Sequence, residues 1–196
     1  MFAAVSPKFA PLVKGIDRAD TISGDAHKFL NVPYDSGFLF TRHLEPQIAM
    51  FKSPSAYLPA TAVDPLAFQN RGPENSRRSR AIPAWMTLQA YGRDGYREIV
   101  ERCCANARLL SEELAAAPGF ALAAPVRFNV VCFKLDGGSA DDTKAFVDRV
   151  IADGRVVVSK SSLRGEPCVR LAMVNWRTTP DDVLIALAAL TTNRAA

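Results

Sequence analysis

Six apolar positions, Tyr96, Val100, Cys103, Ala107, Leu110 and Leu114, follow one another at spacings of four, three, four, three and four. An α-helix brings such positions onto one face, so the segment from Asp94 to about Ala116 is expected as a helix laid against a core. Asp94 is placed to cap its start, and Pro118-Gly119-Phe120 ends it. Beyond it the pattern alternates. Strands are expected near Phe120–Ala123, Asn129–Leu135, Arg155–Ser159 and Cys168–Val174. Ser139, with Asp142 three positions later, marks a helix start. Thr179, Pro180 and Asp182 mark a last helix with proline at its first position. The order strand, strand, helix, strand, strand, helix predicts a small α/β layer.

The first half reads differently. A short helix is expected over Pro7–Lys14, closed by Gly15, and then strands over Thr21–Asp25 and Gly37–Thr41. Periodicity disappears from Lys52 to Arg71, where prolines and small residues predict a long loop, and long structureless loops are usually functional. A helix follows in which Pro83 sets either the start or a kink. The boundary between the halves is expected near Gly92–Gly95.

Composition narrows the function. The chain has 196 residues, 48% hydrophobic and 22% charged, enough for one ordinary domain or two small ones. No apolar run approaches the ~18 residues of a membrane span, and the start lacks the pattern of a secretory leader. A net charge of +4 is too mild to point to nucleic acid. "SRRSR" (Ser76–Arg80) is expected as a solvated or ion-paired face rather than a polynucleotide patch. Cys103, Cys104, Cys132 and Cys168 fit no zinc spacing, so no metal is expected. Free thiols in a cytoplasmic protein are the simplest reading.

Lys28 sits between His27 and the apolar pair Phe29-Leu30, flanked by the two early strands, at a strand end or in the turn between them. A lysine in apolar surroundings is costly unless its ammonium is paired, hydrated, neutralised or covalently occupied. A lysine whose pKa is lowered by burial or cationic neighbours can condense with a carbonyl, including the aldehyde of pyridoxal phosphate. An exposed turn lysine would show the same "HK" pair, so the pair alone decides nothing.

The surroundings carry more. "ADTISGDAHKFLNVPYDSGFLF" (residues 19–40) resembles the lysine segment of the pyridoxal-phosphate-dependent group II amino-acid decarboxylases, which include aromatic-L-amino-acid decarboxylase and glutamate decarboxylase. The resemblance rests on Asp20-Thr21, His27-Lys28-Phe29 and Ser36-Gly37; Thr21 replaces the family's serine and keeps the hydroxyl. "SPSAYLPA" resembles the family's mobile loop. "GPENSRRSRAIPAWMTLQAYGRDGYREIVERC" resembles the helix that leaves the large domain, and "GEPCVRLAMVNWRTTPDD" the last strand and final helix.

The resemblance implies an α/β fold, the C-terminal portion of a fold type I pyridoxal-phosphate enzyme. Residues 1–94 would be the end of the large cofactor-binding domain with its mobile loop, and 95–196 the small C-terminal domain. It implies a carboxy-lyase acting on an amino acid with pyridoxal 5'-phosphate as cofactor. Lys28 would be the Schiff-base lysine, His27 would lie against the phosphate or substrate, and Tyr57 would be the loop proton donor. Arg170 matches an arginine that in relatives meets the substrate carboxylate; a strand arginine facing solvent is the equal alternative. Arg77 and Arg78 would be structural, pairing with carboxylates or lining the approach to the loop. The family's "His-x-Asp-x-Ala" stretch, whose aspartate keeps the cofactor ring protonated, has no match here, so a truncated chain is expected. As partners the resemblance implies a homodimer or a dimer with a full-length relative, with neither nucleic acid nor membrane. The competing reading is a non-catalytic fragment that associates with such a relative.

Overall fold

The computed structural model describes residues 1–52 and 68–195. Their contacts divide the chain into two compact units: Met1 with Val13–Ala90, and Phe2–Leu12 with Tyr91–Ala196. This differs from a grouping of 1–94 against 95–196 by sequence, because Phe2–Leu12 pack with the second unit. Ala3 and Phe9 are buried there, Phe9 meets Phe128 edge-on at 5.5 Å, and Ser6 Oγ donates to Glu101 Oε1 at 2.6 Å.

In the first unit, β1 (Thr21–Asp25) runs into a four-residue helix, α1 (Ala26–Phe29), and β2 (Gly37–Thr41) returns antiparallel to β1. The register sets Thr21 opposite Thr41 and Gly24 opposite Phe38. A Cβ on Gly24 would stand 2.6 Å from the Phe38 ring, so glycine is what lets that ring lie over β1. Next come α2 (Leu44–Phe51) and the start of α3 (Ala81–Ala116). Pro83 is the third residue of α3, in the first turn where a missing N–H costs nothing. Helical backbone breaks once, at Gly92 (φ 59°, ψ −172°), and resumes.

The second unit is built on a four-stranded antiparallel sheet in the order β3-β4-β6-β5: β3 (Phe120–Leu122), β4 (Val130–Leu135), β5 (Ser159–Leu163) and β6 (Glu166–Ala172). α4 (Ala140–Asp153) packs on the sheet and α5 (Pro180–Ala195) on α4. All six apolar residues of the helical stripe are buried. β4 alternates as its sequence requires, with Val131, Phe133 and Leu135 inward. Ser139 and Asp142 form a reciprocal capping box at the start of α4, and Thr179 and Asp182 bond in the same way before Pro180.

Two sequence expectations need correction. Pro7–Lys14 is not a helix: the stretch around it forms three short 3-10 turns, Phe2–Val5, Ala10–Val13 and Ile16–Arg18. Pro7 and Pro11 remove two donors, and Gly15 turns through the left-handed region at φ 87°. The strand expected at Arg155–Ser159 begins only at Ser159. Its register is fixed by a two-residue turn, Arg164-Gly165, both at positive φ (54° and 84°), which matches the twist of a tight hairpin.

Candidate functional site

α1 owes its orientation to two apolar anchors. Ala26 and Phe29 are buried at 1% and 6% exposure, so one helical turn throws His27 and Lys28 toward the other side. Asn31 then leaves the helix through the left-handed region (φ 52°), its Nδ2 donating to Phe29 O at 2.9 Å. The segment before β2 closes the turn. Ala26 N–H donates to Ser36 O at 2.8 Å, and His27 Nδ1 lies 3.1 Å from Ser36 N and 3.0 Å from Ser36 O. The Tyr34 ring rests on the His27 ring at 4.0 Å between centroids.

Lys28 is not enclosed: its side chain is 59% exposed, and Nζ donates to Asp25 Oδ2 at 2.5 Å. That bond holds the Asp25 carboxyl below its usual range. Of the ways a lysine can be tolerated beside apolar neighbours, this turn uses pairing and exposure to solvent.

The arginine run also has a structural use. Asp35 accepts from Arg78, and from both Nε and Nη2 of Arg80 at 3.3 Å each; Arg80 Nη1 donates to Glu74 at 3.0 Å. Arg77 donates to the Phe68 carbonyl at 3.0 Å. Of the two arginines expected to pair with carboxylates or line the approach to the loop, Arg78 pairs with a carboxylate and Arg77 goes to a backbone carbonyl. Arg80, in the run expected as a solvated or ion-paired face, is ion-paired.

The expected site residues are therefore placed unequally. His27 and Lys28 share one turn of the first unit. Arg170 is exposed on β6 of the second unit, opposite Cys132 on one side and Ser159 on the other. Tyr57 lies outside the described residues. Tyr34, Ser36, Asp25 and Asp35, which hold the turn, were not singled out as site residues from sequence. Of these, Asp25, at the i, i+3 spacing of a helical ion pair with Lys28, and Ser36, within a motif of the family resemblance, carried a readable signal. The four cysteines are free, and the described residues contain no cluster of three or more potential metal ligands. No helix of the described residues is long and apolar enough to cross a membrane. A cleft of about 250 Å³ in the second unit is lined by Asp136, Asp142, Arg149 and Arg194, but the arginines already donate to backbone carbonyls and Asp142 is occupied by Ser139.

Comparison with known proteins gives these residues a context. The family model described as "Pyridoxal-dependent decarboxylase conserved domain" matches residues 2–136. Aromatic-L-amino-acid decarboxylase of Drosophila lebanonensis is 28% identical over 192 residues, covering 92% of this chain and 45% of the relative. The Bacillus atrophaeus protein of the same name is 26% identical, covering 93% and 40%. Among solved structures, Oryza sativa TDC with PLP and tryptamine superposes with a TM-score of 0.84 at 22% identity, over 99% of this chain and 42% of that one. Catharanthus roseus tryptophan decarboxylase in complex with L-tryptophan gives 0.80 at 23%, over 97% and 40%. The chain thus spans less than half the length of these relatives. With two-thirds of its residues inside the family model, the chain belongs to the pyridoxal-dependent decarboxylase family.

Proposed function

We propose that this chain carries the cofactor lysine of a pyridoxal-phosphate-dependent amino-acid decarboxylase and corresponds to the C-terminal portion of that fold. What supports this most is the family match over residues 2–136, which contains Lys28 in a turn fixed on both sides by buried anchors. The residues present fit the cofactor at one point. Lys28 Nζ, on a side chain 59% exposed, would meet an incoming aldehyde once Asp25 releases it, and the imidazole of its chain neighbour His27 is held by Ser36 and Tyr34.

In this reading Lys28 holds the cofactor. Asp25 Oδ2 orients the amine and must release it before Nζ can act as a nucleophile. His27, pinned by Ser36 and Tyr34, presents its ring toward the same ligand. Arg170 binds the substrate carboxylate, and Tyr57 delivers the proton that replaces the departing carboxylate on the substrate. The bound cofactor supplies the electron sink for the bond broken as carbon dioxide leaves. The protein acts as a dimer, with itself or with a longer relative.

The test is covalent trapping. Pyridoxal phosphate followed by borohydride should label Lys28 preferentially, and Lys28→Ala should abolish that label while leaving the unfolding transition in place. Labelling spread evenly over surface lysines such as Lys8, Lys14 and Lys52, or no labelling of a folded chain, overturns the reading.

A second reading, a non-catalytic module that associates with another polypeptide, is favoured by the start of α3. Ala81–Gly92 contains no charged residue, yet Ile82, Trp85, Met86 and Leu88 are all exposed. Helices apolar all round are normally buried. Co-elution with a longer family member without cofactor, lost in Trp85→Asp, would support it; elution unchanged by that partner would remove it.

A further inference from the structure

One carboxylate links two elements that are far apart in sequence. Asp35 joins Arg78 and Arg80, which immediately precede α3, to the segment 34–36. Its chain neighbours are the two residues that hold α1: Tyr34 stacks on His27, while Ser36 takes the Ala26 N–H and meets His27 Nδ1. Arg80 is only 27% exposed and is held from its other side by Glu74, so it offers Asp35 a fixed fork rather than a mobile charge.

From this chain of contacts we propose that Asp35 is a positioning residue: through Arg78 and Arg80 it fixes the 34–36 segment, and with it the turn that presents His27 and Lys28. As a claim about Lys28 chemistry this rests on the decarboxylase reading above; as a claim about the turn it stands alone. The ion pairs are exposed, so their contribution to global stability is small. Their effect is local, on how often the Ser36 bonds open.

The experiment measures amide hydrogen exchange at Ala26 in the full chain, together with Lys28 trapping by pyridoxal phosphate and borohydride. Asp35→Asn keeps the shape and removes the charge. It should raise Ala26 exchange severalfold and lower Lys28 labelling relative to Lys14, with exchange at Val131 and Phe133 and the unfolding midpoint unmoved. Salt at about 1 M, where screening acts within about 3 Å, should move the wild-type chain toward the variant and leave the variant where it is. Asp35→Glu, which retains the charge, should recover part of both signals. Unchanged Ala26 exchange in Asp35→Asn overturns the proposal, and so does raised exchange with undiminished trapping in a chain that traps. If the wild-type chain traps nothing at Lys28, the decarboxylase reading fails, while Ala26 exchange still decides whether Asp35 holds the turn.

Discussion

Phe133, Phe146, Leu110, Leu114 and Leu190 are completely enclosed, and all five belong to the second unit. Among the described residues, the buried apolar residues of the first unit are fewer, chiefly Ala26, Phe29, Leu30, Val32 and Ile48. The same unit leaves Tyr34, Leu39, Phe40, Met50, Trp85 and Met86 largely exposed. The second unit has the closed sheet-and-helix layer of a structure that stabilises itself. The first has a two-stranded ladder, and such a ladder is marginal without something packed on it. His27 and Lys28 sit in that less enclosed unit, at the low-stability end where binding elements tend to be found.

The largest effect should separate the units most clearly. Phe133→Ala or Phe146→Ala removes a fully buried ring that touches two others edge-on, and each is expected to cost about 3–5 kcal/mol. Leu39→Ala and Phe40→Ala, on exposed positions of β2, are expected to stay within about 0.5 kcal/mol. Urea unfolding of the four variants measures both. Equal losses in the two sets would mean that the first unit hides a core the contrast does not include. Thiol labelling probes the same enclosure chemically. Burial pushes the Cys103 thiol up to about 11 and Cys104 up to about 12, and also raises Cys168. Iodoacetamide at neutral pH should therefore modify half-buried Cys132 first, and the other three only on unfolding.

The contrast also explains which parts were legible in advance. The stripe from Tyr96 to Leu114, the alternation of β4 and both helix starts of the second unit obey local rules, and a self-contained layer lets those rules decide. β5 was displaced because the polar run "SKSSL" carries no apolar alternation; the Arg164-Gly165 turn sets it instead. In the first unit, the family resemblance located Lys28, and the pattern placed it between two strands. The i, i+3 spacing let Asp25 be read as a partner for Lys28, but sequence could not show that Tyr34 covers His27, or that Asp35 reaches Arg78 and Arg80 across more than forty residues. Such pairings depend on how distant segments meet, and no short-range periodicity encodes that.

A smaller effect tests the capping box of the second unit. Ser139→Ala deletes the acceptor for the Asp142 N–H, at 3.1 Å, and is expected to cost about 1 kcal/mol in thermal unfolding. An unchanged transition would show that α4 is held by its packed face alone.

Acid and salt should divide the units more finely still. In the first unit, Asp20, Asp25 and Asp35 are each held below the ordinary carboxylate value of 3.8, chiefly by hydrogen bonds from His43, Lys28 and Arg80 respectively. In the second unit, Asp142 is lowered by the hydroxyl and backbone N–H of Ser139 and Asp182 by the backbone N–H and hydroxyl of Thr179, while Asp153, at the end of α4, is held well below the ordinary value chiefly by Arg155. A lowered carboxyl contributes stability that is present above its unfolded value and is lost as pH falls through its folded value. Both units should therefore loosen below the usual carboxylate range. Salt acts on charge pairs and not on neutral donors. At neutral pH about 1 M salt should speed exchange at Ala26 in the first unit while Thr143, in the first turn of α4, keeps its protection. If both sites respond equally, Asp25 and Asp35 are not held by their cations, and the distinction between a charge-held turn and a cap-held helix start disappears.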